Sequence, residues 1–138
     1  MVSIAGAVSR QRSVASAQRP ANAQPTIFCR RLGTRPGISA SRLRPVVFSE
    51  ETDRVYINTT ADCLIEDPVF GRTIRVAKAG SSSSVVWNPW TEKEKGFADM
   101  AAGEYKDMVC VETVNASPDE ITLQPGAKHS LVAFVGVE

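Results

Sequence analysis

The chain has 138 residues, a formal net charge of +1, 43% hydrophobic and 22% charged residues, which is ordinary for one soluble globular domain. No apolar run approaches the ~18 residues of a membrane-spanning helix. The three cysteines, Cys29, Cys63 and Cys110, show no paired spacing such as C-x-x-C, so neither a disulfide framework nor a zinc site is expected and a reducing compartment is the default.

The charge is distributed unevenly along the chain. Residues 1–49 contain eight arginines and no acidic residue (+8), whereas residues 50–138 contain all 15 acidic residues and eight basic ones (−7). Three interpretations of the Ser-, Ala- and Arg-rich segment 1–45 remain open: an organellar transit peptide, a disordered tail or gene-model artefact, and a nucleic-acid-binding arm. The last has the least support, because no Lys accompanies the scattered arginines. We expect a cytoplasmic protein, or an organellar one if segment 1–45 is a transit peptide.

Strand signals begin after residue 45 and recur at short intervals, with turn residues between them. The expected strands are 46–48, 54–57, 63–65, 73–76, 85–87, 108–113, 121–123 and 130–137. The run Ala79–Ser84 is expected to be a loop. Because about seven short strands occur without long helical patterns, residues 46–138 are predicted to form an all-β antiparallel sandwich.

One short helix interrupts this pattern between Thr91 and Met100. Thr91 is the predicted cap, and Glu94, three residues later, would complete a capping box. Gly96 and Gly103 limit the length of the helix.

Glu112 is the residue whose chemistry needs an explanation. Period-2 alternation predicts Val109 and Val111 on one face of a strand, and Met108, Cys110 and Glu112 on the other. Two interpretations follow from the residues alone. Glu112 is either a glutamate on the solvent side of a half-buried strand, or a general base in apolar surroundings.

A longer pattern surrounds this strand. The block Val85-Val86-Trp87-Asn88-Pro89-Trp90 is followed, after Lys93 and Asp99, by Met108-Val109-Cys110-Val111-Glu112. Asp53-Arg54-Val55-Tyr56 upstream and Leu123-Gln124-Pro125-Gly126 downstream complete it. In this order and spacing, residues 46–138 resemble the C-terminal third of the hexose-6-phosphate mutarotases, the glucose-6-phosphate 1-epimerase family, which is similar to aldose 1-epimerases.

The resemblance implies a large antiparallel supersandwich like that of galactose mutarotase. It also implies an isomerase that interconverts the anomers of hexose 6-phosphates without a metal or organic cofactor. In this family a glutamate takes the proton of the anomeric hydroxyl and a histidine protonates the ring oxygen, so that the ring opens and recloses. Glu112 matches the glutamate.

The family's catalytic histidine and phosphate-binding arginines lie upstream of the aligned residues. The only histidine, His129, does not match the catalytic position and is expected on the surface. We therefore expect the chain to be truncated and inactive by itself.

Three further residues are weak substrate-binding candidates: Trp87, Trp90 and Lys93. Core packing of the tryptophans and a solvated helix face for Lys93 are the alternatives. A non-enzymatic carbohydrate-binding β-module using both tryptophans, or a gene-model fragment without function, are alternatives for the whole chain. The expected partner is a hexose 6-phosphate, not nucleic acid or a membrane, and uncovered strand edges would favour self-association.

Overall fold

The structure is a computed structural model that describes residues 3–7, 26–30 and 45–138, the first two stretches by their backbone. The described residues contain eight strands, a short helix and a 3-10 helix. The strands are β1 (Ser3–Ala7), β2 (Thr26–Arg30), β3 (Thr52–Tyr56), β4 (Asp62–Asp67), β5 (Arg72–Ala79), β6 (Ser83–Asn88), β7 (Cys110–Val114) and β8 (Val132–Val137). The helix α1 spans Trp90–Glu94 and the 3-10 helix spans Glu104–Asp107.

The strands form two four-stranded sheets in which every pairing is antiparallel. Sheet A has the order β1-β7-β6-β3 and sheet B the order β2-β4-β5-β8. The predicted all-β class and antiparallel pairing are therefore confirmed. No helix in the described part of the chain is long and apolar enough to cross a membrane.

The core lies between the two sheets. Sheet A contributes Val86 and Val111, which are 0% and 1% exposed. Sheet B contributes Cys63, Ile65, Ile74 and Val76, while Val46, Phe48 and Val109 complete the cluster. The predicted alternation along β7 is confirmed, because Val109 and Val111 are buried whereas Cys110 and Glu112 are half-buried.

Part of segment 1–45 joins the sheets. β1 pairs with β7, and β2 pairs with β4. The remaining residues of the segment, apart from the exposed Pro45, lie outside the described residues. The expectation of a disordered or targeting-like segment therefore stays a prediction for them.

Two of the expected strands are absent. In residues 46–48, Val46 forms only an isolated β-bridge, and the run is apolar because Val46 and Phe48 fill the core. In the run 121–123, Ile121 and Leu123 are 43% and 52% exposed and belong to no strand. A prediction based on short apolar runs therefore gives two strands too many in residues 45–138.

The expected loop Ala79–Ser84 is shorter than predicted, because β6 already begins at Ser83. Tertiary partners satisfy the polar side chains there. The Ser83 hydroxyl oxygen lies 2.9 Å from the carbonyl oxygen of Val114, and Ser81 bonds the same oxygen. Ser81 and Ser83, whose sequence is typical of a loop, are therefore buried at or just before the start of β6.

The predicted capping box is wrong. Pro89 occupies the N-cap of α1, and no side chain caps the helix. Glu94 is 7% exposed, and its carboxylate accepts hydrogen bonds from the backbone N–H groups of Gly103, at 2.9 and 3.1 Å, and Tyr105, at 3.2 Å. Glu94 therefore holds the following turn instead of the first turn of its own helix.

Candidate active site

Glu112 lies on the outer face of sheet A, the side away from the core. It is opposite Val85 in the ladder between β7 and β6, and Cys110 is opposite Trp87. Directly opposed residues in an antiparallel ladder share a face, as do residues two positions apart on one strand. Glu112, Cys110, Val85 and Trp87 therefore share the outer face.

The Glu112 side chain is half-buried, as are Val85, Trp87 and Cys110 around it. Burial raises the pKa of the Cys110 thiol, and the charge of Glu112 raises it further. The carboxylate is thus near enough to disfavour a second negative charge at Cys110. Glu112 lies in a partly apolar setting that is still open to solvent.

Trp87 forms one side of this setting. Its ring meets that of Phe97 edge to face, with centroids 6.0 Å apart and an interplanar angle of 75°. Phe97 follows α1 and is 40% exposed. The contact supports the indole on the outer face. There, Trp87 lies opposite Cys110, which is two residues from Glu112 along β7.

Trp90 occupies a different environment. It packs against the core cluster, and its ring centroid is 4.9 Å from that of Tyr105. Its φ of 57° is unusual for a bulky residue. The side-chain oxygen of Asn88, which accepts from the Trp90 N–H at 3.0 Å, helps to hold this conformation. The structure therefore places Trp90 against the core cluster, whereas Trp87 lies on the outer face.

Lys93 lies near one end of the outer face and forms an ion pair with Glu51. A hydrogen bond to Glu51 raises the pKa of Lys93, and the charges of Glu51 and Asp53 add to it. Asp53 is opposite Trp87 in the ladder between β3 and β6. The ammonium group is therefore close to this face but already bound to a carboxylate.

His129 is exposed, and its contacts lie beyond the end of β7. Its Nε2 is 2.8 Å from the carbonyl oxygen of Gly80 and 3.2 Å from the Oδ1 of Asn115. These contacts tie His129 to the loop after β5 and to the turn after β7. The histidine is exposed, as the sequence predicted, and these contacts give it a local structural role.

Comparison with known proteins identifies the family. The sequence model of the aldose 1-epimerase family matches residues 17–133, which is most of the chain. The chain belongs to the aldose 1-epimerase family. The family match begins at residue 17, so it extends upstream of residues 46–138, to which the resemblance in the sequence was confined.

Three relatives of this aldose 1-epimerase family member carry the name "Putative glucose-6-phosphate 1-epimerase". The protein from Cenchrus ciliaris is 42% identical over 81 residues, which are 59% of this chain and 24% of the relative. Those from Salmonella typhimurium and Escherichia coli are 41% identical over 76 residues (54% of this chain, 26% of the relative) and 39% identical over 82 residues (59% and 28%). The chain thus spans about a quarter of the length of these relatives. No solved structure gives a significant match.

A positioning residue of this family member escaped prediction. Asn88 is 1% exposed, and its Nδ2 donates to the carbonyl oxygens of Tyr105, at 2.7 Å, and Met108, at 2.9 Å. These bonds fix the segment that leads into β7 and so help to place Glu112. An Asn-Pro pair in a sequence is by itself only a turn signal.

A second polar cluster also could not be foreseen from spacing. The Asp119 carboxylate accepts hydrogen bonds from the Ser82 N–H (2.7 Å) and hydroxyl (2.6 Å), the Ser83 hydroxyl (3.0 Å) and the Asn115 amide (3.0 Å). Hydrogen bonds, that of the Ser82 side chain first, lower the pKa of Asp119 to about 2. The cluster ties the turn after β7 to the start of β6. Within the described ranges, no three His, Cys, Asp or Glu side chains are grouped to hold a metal ion.

Proposed function

We propose that the chain supplies the general base of a glucose-6-phosphate 1-epimerase, and that Glu112 takes the proton of the anomeric hydroxyl of a hexose 6-phosphate. The observation that carries the proposal is the half-buried Glu112 carboxylate on the outer face, beside Val85 and Trp87 of β6 and Cys110 of its own strand. The family match and the names of the relatives support this substrate class.

The reaction needs a base and an acid at the anomeric centre. Glu112 removes the hydroxyl proton while the bond from C1 to the ring oxygen breaks, and an acid protonates that oxygen. Rotation about C1–C2 in the open-chain aldehyde, followed by reclosure, yields the other anomer. General acid and general base catalysis each contribute about 10²–10⁴ in rate.

The neighbours of Glu112 suit a sugar that lies on the sheet. The indole of Trp87, supported by Phe97, offers an apolar surface for the C–H face of a pyranose. Val85, opposite Glu112, would limit the water near the reacting hydroxyl. We therefore propose Trp87 as a substrate-binding residue, whereas Trp90 supports the fold.

Among the described residues, neither His129 nor Lys93 is placed to supply the acid. His129 bonds to Gly80 and Asn115 past the end of β7, and Lys93 is engaged by Glu51. We therefore propose that these 138 residues alone do not accelerate anomer exchange, and that an added diffusible acid reveals the contribution of Glu112.

Exchange spectroscopy by ¹H NMR on glucose 6-phosphate measures this contribution. The full chain, Glu112→Gln and the matched control Glu120→Gln are compared near pH 6.5, with and without imidazole, whose protonated form supplies the acid. Glu120 is an exposed glutamate outside any strand.

In imidazole, the wild-type chain and Glu120→Gln should accelerate exchange several-fold over Glu112→Gln. Without imidazole, all three should leave the rate of the buffer unchanged. Equal rates for wild type and Glu112→Gln in imidazole would overturn the base role. Acceleration without imidazole that Glu112→Gln abolishes would keep the base role and overturn the need for an external acid.

A further inference from the structure

Two of the three cysteines occupy directly opposed positions in sheet B. In the ladder between β2 and β4, the backbone of Cys29 pairs with that of Cys63. The residues are far apart in sequence, and their spacing matches no cysteine motif. Only the register of the two strands reveals the relationship.

The register meets the distance requirement of a disulfide. Opposed residues in an antiparallel pair have Cα atoms about 4.5 or 5.5 Å apart, depending on the hydrogen-bonding pattern. Disulfides join residues whose Cα atoms are about 4.4–6.8 Å apart. Both kinds of opposed position therefore meet the Cα requirement, and the Cβ atoms, about 4.5–5.5 Å apart in such pairs, must approach to about 3.5–4.5 Å for the bond to form.

The third cysteine is poorly placed to compete. Cys110 belongs to β7 in sheet A, on the face away from the core. Cys63 is 2% exposed and belongs to the core cluster between the sheets.

We infer that Cys29 and Cys63 form a reversible cross-strand disulfide that ties β2 to β4. A small-molecule disulfide such as oxidised glutathione is the oxidant. The thiolate of one cysteine attacks this disulfide and releases one reduced glutathione, and the second cysteine then displaces the other. Two protein thiols and one glutathione disulfide thus become one protein disulfide and two molecules of reduced glutathione.

The bond would affect the edge of sheet B. β2 is the last strand on its side of the described sheet, and its pairing with β4 holds residues 26–30 in place. A covalent link at Cys29, the fourth residue of β2, would keep β2 attached to β4 when the hydrogen bonds between the two strands break. The oxidised chain should therefore melt at a higher temperature than the reduced chain.

Thiol mapping on the full chain tests the inference without altering the pair. Trypsin separates the cysteines onto the peptides 13–30, 55–72 and 107–128, because Lys and Arg flank each one. The Cys110→Ser variant, in which Cys29 and Cys63 are the remaining cysteines, is equilibrated in glutathione buffers of increasing oxidising power, alkylated and digested. The same chain unfolded in urea and the wild-type chain are treated in parallel.

We expect the folded variant and the folded wild type to yield the linked peptides 13–30 and 55–72, together with a raised melting temperature that a reductant reverses. In unfolded wild type, all three cysteine pairings should appear. Alkylation of both thiols in every buffer, disulfide-linked dimers of the variant, or linkage to peptide 107–128 in folded wild type would each overturn the inference.

Discussion

The Nδ2 of Asn88 donates a 2.7 Å hydrogen bond to the carbonyl oxygen of Tyr105, so that the end of β6 fixes the 3-10 helix that precedes β7. The same amide donates to the carbonyl oxygen of Met108 and accepts from the N–H of Trp90. One buried side chain thus connects the Asn-Pro turn, the core tryptophan and the strand of Glu112.

Asn88→Ala should lower the free energy of unfolding by about 3 kcal/mol, because it leaves buried backbone groups without their hydrogen-bond partner. Gln124→Ala, which removes an amide from an exposed turn, should change it by less than about 0.5 kcal/mol. Urea unfolding of both variants measures the difference. Similar midpoints for the two variants would mean that Asn88 does not organise this region.

Stability should also depend on the charge of Asp119. Its pKa is lowered from 3.8 to about 2, so its ionised form is favoured by folding. The resulting stability is complete above the ordinary pKa and is lost as the pH falls from about 4 towards 2. The difference in unfolding free energy between wild type and Asp119→Asn should therefore shrink over that window.

Ser82→Ala provides the control for this pH effect. It removes the hydroxyl that contributes most to the lowered pKa while leaving the backbone N–H in place. The acid dependence of its stability should be weaker than that of wild type. A difference between wild type and Asp119→Asn that stays constant from pH 7 to pH 3 would contradict the role of this cluster.

The two tryptophans should respond differently to sugar. Trp87 lies on the outer face with Glu112, whereas Trp90 packs against the core and Tyr105. Glucose 6-phosphate should therefore change the fluorescence of Trp90→Phe as it does that of wild type, but not that of Trp87→Phe. A response that survives in Trp87→Phe would place the sugar elsewhere.

The strand β8 should promote self-association. It is at the edge of sheet B among the described strands, and Val135 and Val137 are 54% and 66% exposed although they pair with the buried Val76 and Ile74. An uncharged apolar edge strand invites pairing with another chain. Sedimentation should show concentration-dependent association.

Val135→Lys should reduce this association. Val47, which is 66% exposed and lies outside any strand, provides the control Val47→Lys. A wild-type chain that stays monomeric at every concentration, or equal effects of the two substitutions, would contradict the role of β8.

Much of the fold followed from local pattern. The alternation of Val109, Val111 and Glu112 correctly separated the core from the outer face, because a strand in a two-layer sandwich has one buried side. The bounds of the expected strands 54–57 and 63–65 lie within two residues of those of β3 (Thr52–Tyr56) and β4 (Asp62–Asp67).

Interactions between distant residues escaped the same reasoning. Thr91 and Glu94 have the spacing of a capping box, yet Glu94 serves the N–H groups of Gly103 and Tyr105, which local sequence cannot bring near. The opposed positions of Cys29 and Cys63 likewise depend on strand register, which only the assembled sheet defines.

Contact between Glu112 and the sugar is tested most directly by ¹³C NMR of the glutamate carboxyl groups. As glucose 6-phosphate is added to the full chain, the Cδ resonance of Glu112 should shift, while that of the exposed Glu92, which pairs with Lys95, should not. A stationary Glu112 resonance, in a titration that shifts other carboxyl groups, would contradict the account.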